Sequence, residues 1–152
     1  MQKYILTRDE FVLQANKLVD QIQSQTKTYD LILCITKWWM HLSYHLADKL
    51  GIKDIRTFCC ASYLDDHQQS DLHIIYDPMI DSNKKILIID DLIDSGKTLN
   101  VITARYPTAD IAVLLVKLWH HFILQENTVC YCAQDNLPHD QWIDFYYESD
   151  VN

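Results

Sequence analysis

The sequence predicts an α/β fold, with a mostly parallel central sheet flanked by helices in one domain over residues 1–152. Three observations predict it. The apolar runs DLILCIT (30–36), KILII (85–89) and DIAVLLV (110–116) are continuous rather than alternating, the pattern of strands covered on both faces. Stretches of helical character separate them, as in a βαβ succession. Apolar residues make up 49% of the 152 and charged residues 22%, which supports a real core and excludes disorder.

In chain order, KYIL (3–6) reads as a short strand. Thr7 with Glu10 forms a capping box that opens an amphipathic helix to about Gln25. The strand at 30–36 leads to a helix over about Trp38–Leu50, closed by Gly51 as its left-handed C′ residue. IRTFCCA (55–61) is a further strand, and the polar, weakly periodic stretch 62–83 reads as a long functional loop. After the strand at 85–89 come an acidic loop, a helix over 97–105 and a stop at Tyr106-Pro107. The strand at 110–116 follows, and TVCYCA (128–133) reads as one more. Ligands of parallel sheets sit beyond the carboxyl ends of the strands, where these motifs fall.

Composition narrows the function. Thirteen basic against 21 acidic residues give a net charge of −8, which argues against a nucleic-acid surface. No stretch approaches a membrane span of roughly 18 apolar residues, and the opening MQKYILTRDE lacks a signal-peptide core. Five cysteines, an odd number, suit reduced thiols and a cytoplasmic location. Only two glycines occur, Gly51 and Gly96, so each marks a place with a special backbone demand.

The chemistry concentrates in KKILIIDDLIDSGKTL (84–99). A buried strand delivers Asp90 and Asp91, and Ser95-Gly96-Lys97-Thr98 then opens a helix whose first N–H groups converge on a phosphate. A nucleotide P-loop is excluded, because Asp91 occupies its first glycine position and three carboxylates would repel a triphosphate. Carboxylates suit a ribose diol and a hydrated Mg²⁺ instead. A receiver domain also combines an acidic pair with a later strand-end lysine, but its pair lies near the N-terminus, and Asp110 begins a strand rather than ending one.

The thirteen residues ILIIDDLIDSGKT resemble the signature of the type I phosphoribosyltransferases. KYILTRDEF, Ser62-Tyr63, Lys117 and Trp142-Ile143 extend the resemblance to the bacterial xanthine-guanine phosphoribosyltransferases. The resemblance implies that family's fold, with a small C-terminal purine-recognition hood. It also implies transfer from phosphoribosyl pyrophosphate to a purine base, Mg²⁺ as cofactor and a homo-oligomer. Asp90 and Asp91 would hold the ribose hydroxyls and Mg²⁺, with Asp91 as metal ligand. Asp94 would be the base near purine N7, and Ser95, Gly96, Lys97 and Thr98 would hold the 5′-phosphate. Ser62 and Tyr63 would open the loop that covers the reacting centre. Lys117 would donate to purine O6, Trp142 would stack on the base, and the Ile143 carbonyl would read its exocyclic edge. A solvated strand-end lysine and a core tryptophan are the plain alternatives for Lys117 and Trp142.

Two departures fall on the pyrophosphate half of that site. Lys37 keeps the charge of the family's pyrophosphate loop, but Trp38 and Trp39 replace its glycines. Residues 57–83 contain neither Lys nor Arg, where a basic residue is expected. A non-catalytic nucleotide-binding sensor on the same fold is therefore the second reading. Two other groupings are set aside as metal sites: His41 with His45 has no third ligand nearby, and Cys130 and Cys132 are read as facing opposite sides of their strand.

Overall fold

A computed structural model describes residues 3–36, 40–62, 72–117, 124 and 126–148, with Ser62 described as backbone only. Its elements run β1 (Lys3–Leu6), α1 (Arg8–Gln23), β2 (Leu31–Ile35), α2 (Met40–Leu50), β3 (Asp54–Ser62), β4 (Leu72–Tyr76), β5 (Ile86–Ile93), α3 (Lys97–Arg105), β6 (Asp110–Val116), β7 (Cys130–Gln134) and β8 (Trp142–Phe145). Thr7 caps α1 as expected: its N–H donates to Glu10 Oε2 at 2.9 Å, and the Glu10 N–H donates to Thr7 Oγ1 at 3.3 Å. Gly51 sits past α2 at φ 70°, where a side chain would be strained.

The main sheet has the order β4-β3-β2-β5-β6-β7, parallel except for the antiparallel β3–β4 pair. Every residue of β2 and β6 is buried, which explains their unbroken apolar runs. Alternate residues divide the core. Leu87 and Ile89 join the cluster under α1 and α2, whereas Ile86 and Ile88 join the cluster under α3 with Leu99 and Ile102. Helices therefore cover both faces, the fold class expected from the sequence.

Chain direction fixes where a ligand belongs. From β2 the chain crosses to β3 on one side, and from β5 it crosses to β6 on the other, while β2 and β5 are neighbours. The order reverses between them, and the crevice beyond their carboxyl ends is the place where open parallel sheets bind ligands. A separate two-stranded parallel ribbon joins β1 to β8, pairing Lys3 with Trp142 and Leu6 with Phe145. It holds the C-terminal segment over the α1 and α2 face.

Three expectations change. The stretch read as one polar loop, 62–83, contains β4, which pairs with β3 across an irregularity at Cys59/Cys60. β4 is an edge strand with Ile74, Ile75 and Tyr76 all exposed, so it shows neither alternation nor a buried run. β5 continues past Ile89 to Ile93, so Asp90 and Asp91 are strand residues rather than loop residues. Cys130 and Cys132 share a face, since residues two apart in a strand point the same way, and both pack on the α3-side cluster. Burial pushes their thiols up to about 12 and about 11, which keeps them protonated at neutral pH.

Candidate active site

β5 brings Asp90 and Asp91 to the switch point between β2 and β5, at 7% and 1% exposure. Strand alternation starts the two side chains on opposite sides, but the Asp90 carboxyl folds back toward Asp91, and the two side chains are hydrogen-bonded to each other. Asp90 lines a small cleft of about 90 Å³ together with Asp94, Ser95, Gly96, Lys97 and Thr98. Its Oδ1 accepts the Asp91 N–H at 3.0 Å. Asp91 turns toward the C-terminal segment, where the Tyr147 hydroxyl donates to its Oδ2 at 3.4 Å. Burial raises both carboxyls above the ordinary range, and for Asp91 the neighbouring charges of Asp90 and Glu148 add to it.

Asp94–Gly96 turn the chain into α3. Gly96 is the N-cap residue at φ 73°, ψ −2°, a left-handed conformation that side chains resist. No side chain caps the helix there. The first N–H groups of α3 therefore keep the donor capacity that capping would consume, and they border the cleft. The Gly96 carbonyl still starts the helix, accepting the Asn100 N–H at 2.9 Å.

Lys117 follows β6, and its N–H donates to the Ile93 carbonyl at 3.0 Å, which ties the two strand ends together. It is 7% exposed, so it is not a solvated strand-end lysine. Its Nζ lies 3.3 Å from Asp94 Oδ1, whose side chain is 57% exposed. A cation and a carboxylate thus stand side by side at the mouth of the crevice.

The C-terminal segment lies beside this centre. The Leu137 N–H donates to the Val116 carbonyl at 3.2 Å. Trp142 is 58% exposed at the start of β8, so it does not fill the core, while Ile143 is buried. Lys37, Trp38 and Tyr63 lie outside the described residues, as does the Ser62 side chain; the Ser62 backbone ends β3 opposite Leu72.

Sequence reasoning missed Tyr147. Its ring stacks on His41 of α2 at 4.9 Å and 9°, and on Phe145 at 5.3 Å and 12°. This three-ring stack joins the start of α2, the C-terminal segment and Asp91. The cluster Phe145-Tyr146-Tyr147 was the available signal. His41 thus packs against the Tyr147 ring, and His45 Nε2 lies 2.9 Å from Asn16 Oδ1.

Among the described residues, no group of three or more His, Cys, Asp or Glu forms a ready cage for a metal. Neither Asp90 nor Asp91 meets an ammonium or guanidinium group in an ion pair among them. Two adjacent buried carboxylates without a cation are the donors that Mg²⁺ accepts when water and substrate oxygens complete its shell. The residues present fit that ion.

The chain matches the phosphoribosyl transferase domain family over residues 1–118. In fold it is similar to a hypothetical protein from Neisseria gonorrhoeae solved with bound ppGpp, at TM-score 0.84 and 19% identity over 99% of this chain and 91% of that one. A purine phosphoribosyltransferase from Pyrococcus horikoshii superposes at TM-score 0.78 and 21% identity, over 97% and 95% of the two chains. The Helicobacter pylori xanthine-guanine-hypoxanthine phosphoribosyltransferase gives 0.75 and 20%, over 99% and 95%. Among the described residues no helix is long and apolar enough to cross a membrane. With the family matched across most of its length, the chain belongs to the phosphoribosyl transferase domain family.

Proposed function

We propose that the chain is a Mg²⁺-dependent purine phosphoribosyltransferase. It would join guanine, xanthine or hypoxanthine to the phosphoribosyl group of phosphoribosyl pyrophosphate and release pyrophosphate. One observation carries the reading. At the switch point of the sheet, a strand ends in two buried carboxylates and passes through left-handed Gly96 into a helix with no side-chain cap. That arrangement fits a sugar phosphate: N–H groups of residues 96–98 for the phosphate, carboxylates for the diol.

In this reading the purine lies against the Asp94–Lys117 pair. Purine O6 and N7 are neighbours on one edge of the base, and a donor and a proton acceptor 3.3 Å apart match them. Lys117 donates to O6, and Asp94 holds the ring proton as C1–N9 forms and pyrophosphate leaves. Trp142, exposed on the C-terminal ribbon, offers a face for stacking, and the Ile143 carbonyl reads the remaining edge. Asp90 and Asp91 would hold Mg²⁺, which supplies charge neutralisation to the diphosphate leaving group. By the resemblance, Ser62 and Tyr63 would open the covering segment, and Lys37 and Trp38 would belong to the pyrophosphate loop. As in the family, the chain works in this reading as a homo-oligomer in the cytoplasm.

The second reading is a nucleotide-binding sensor without turnover. Trp38 and Trp39 in place of glycines, and the absence of Lys and Arg from 57–83, favour it. The gonococcal protein of similar fold carries ppGpp, a nucleotide rather than a substrate pair. Pyrophosphate release, measured with each purine base, Mg²⁺ and phosphoribosyl pyrophosphate, separates the two. Turnover supports the enzyme. Mononucleotide binding without turnover, gained on Trp38→Gly/Trp39→Gly, supports the sensor.

A further inference from the structure

The edge of the sheet opposite the acidic strand end holds a second and larger concavity. It measures about 500 Å³ and is walled by the connections that enter β2, β5 and β6. That volume lies inside the range of roughly 300–1,000 Å³ of small-molecule sites. β5 separates it from the candidate active site, since Ile86 lines this cavity and Ile93 the other. At about 3.3 Å per residue the two lie on the order of 20 Å apart.

Its lining contrasts with the rest of the protein. Lys27, Lys84 and Lys85 line it with one carboxylate, Asp110, in a chain of net charge −8, and Lys84 also lies within electrostatic reach of Asp54. Lys27 is committed to Asp110 at 2.9 and 3.2 Å. Among the described residues no ion pair engages Lys84 or Lys85. Hydroxyl and amide groups, Thr28 and Asn83 among them, supply the remaining polar wall.

The walls are also fixed before any ligand arrives. Asp110, 4% exposed, accepts from the Tyr29 hydroxyl at 2.7 Å and the Val129 N–H at 2.8 Å as well as from Lys27. Two bonds of 2.8 Å staple the β5 entry to the β2 entry, Asp30 N–H to the Lys85 carbonyl and Lys85 N–H to Asp30 Oδ2. A binder then needs to order only two lysine side chains.

We propose that this cavity is a second binding site, for a phosphorylated small molecule that carries hydroxyl groups. Lys84 and Lys85 take the phosphate as point charges, and the hydroxyl-lined wall takes the sugar. The test is a titration of the isotope-labelled chain with inorganic phosphate, ribose 5-phosphate and AMP at constant ionic strength, read by backbone amide shifts. The expected result is saturable shifts at residues 27–29 and 82–85 with a sugar phosphate, tighter than with phosphate alone. Lys84→Ala/Lys85→Ala is expected to weaken them at least tenfold and to leave shifts at 95–98 unchanged. Shifts confined to 95–98, shifts at this edge that survive the double variant, or equal affinity for inorganic phosphate would each overturn the site. Shifts at this edge without any at 95–98 would support it while counting against the proposed function.

Discussion

The two glycines form a matched pair for testing the phosphate nest. Gly51 and Gly96 sit at φ 70° and 73°, so alanine at either position meets the same left-handed backbone cost of about 1–2 kcal/mol. For Gly51 nothing lies within 4 Å of an added Cβ, so backbone strain is the whole penalty. For a chain of this size, each substitution is expected to lower Tm by about 2–8 °C. Binding should divide them. At Gly96 the strain is relieved by turning the N–H groups that border the cleft, and a misaimed hydrogen bond to a charged group costs about 1.5–3 kcal/mol. Gly96→Ala should therefore weaken a purine mononucleotide on the order of 10- to 100-fold, while Gly51→Ala leaves its affinity unchanged. Thermal unfolding and calorimetric titration with the mononucleotide and Mg²⁺ read the two effects separately. Equal affinity in both variants would refute the nest, and an undisturbed Tm in Gly51→Ala would refute the strain argument.

Other consequences follow from the same site. Asp94→Asn should abolish pyrophosphate release while the far-ultraviolet dichroism and Tm stay near wild type; retained turnover removes Asp94 as the proton acceptor. Tyr147→Phe should cost about 0.5–1.5 kcal/mol of stability through the Asp91 hydrogen bond, and an unchanged unfolding curve in urea would show that the bond contributes nothing. Asp90 and Asp91 hold protons more tightly folded than unfolded, so without metal their contribution is fully present below about pH 4 and is lost as pH rises toward neutrality. The stability difference between wild type and Asp91→Asn should therefore grow in favour of the variant over that interval and shrink again on adding Mg²⁺; a flat difference contradicts the assignment.

What the sequence revealed about the fold depends on how local each signal is. The β5-to-α3 turn was legible because strand, glycine and helix are consecutive, and Thr7 with Glu10 announced α1 within four residues. β4 was illegible because LHIIY lies at an edge with both faces open, so burial imposes no pattern on it. The ribbon of β1 with β8 pairs opposite ends of the chain, and no periodicity within either strand encodes a partner. The same limit hid the candidate site's nonlocal contacts. Lys117 and Asp94 were each singled out from the sequence, but their 3.3 Å approach depends on β5 lying beside β6. Tyr147 reaches Asp91 only after the ribbon has folded.

That geometry gives a reason for two acidic residues in succession rather than two separated by one. In a strand, neighbours face opposite sides and alternate residues share a side. An Asp-x-Asp arrangement would place both carboxylates over α3, with two charges crowding one small cleft. Asp90-Asp91 instead lines the phosphate turn with one carboxyl and sets the other against Tyr147 of the C-terminal segment, with the two still in contact with each other. In the proposed reaction the ribose joins a phosphate at one end to a purine at the other, so it must cross the edge of the sheet between those faces. The contacting pair of carboxyls meets it at the crossing. The burial that makes both charges costly without a cation then favours a divalent metal that the contacting pair can share, with the sugar hydroxyls completing its surroundings.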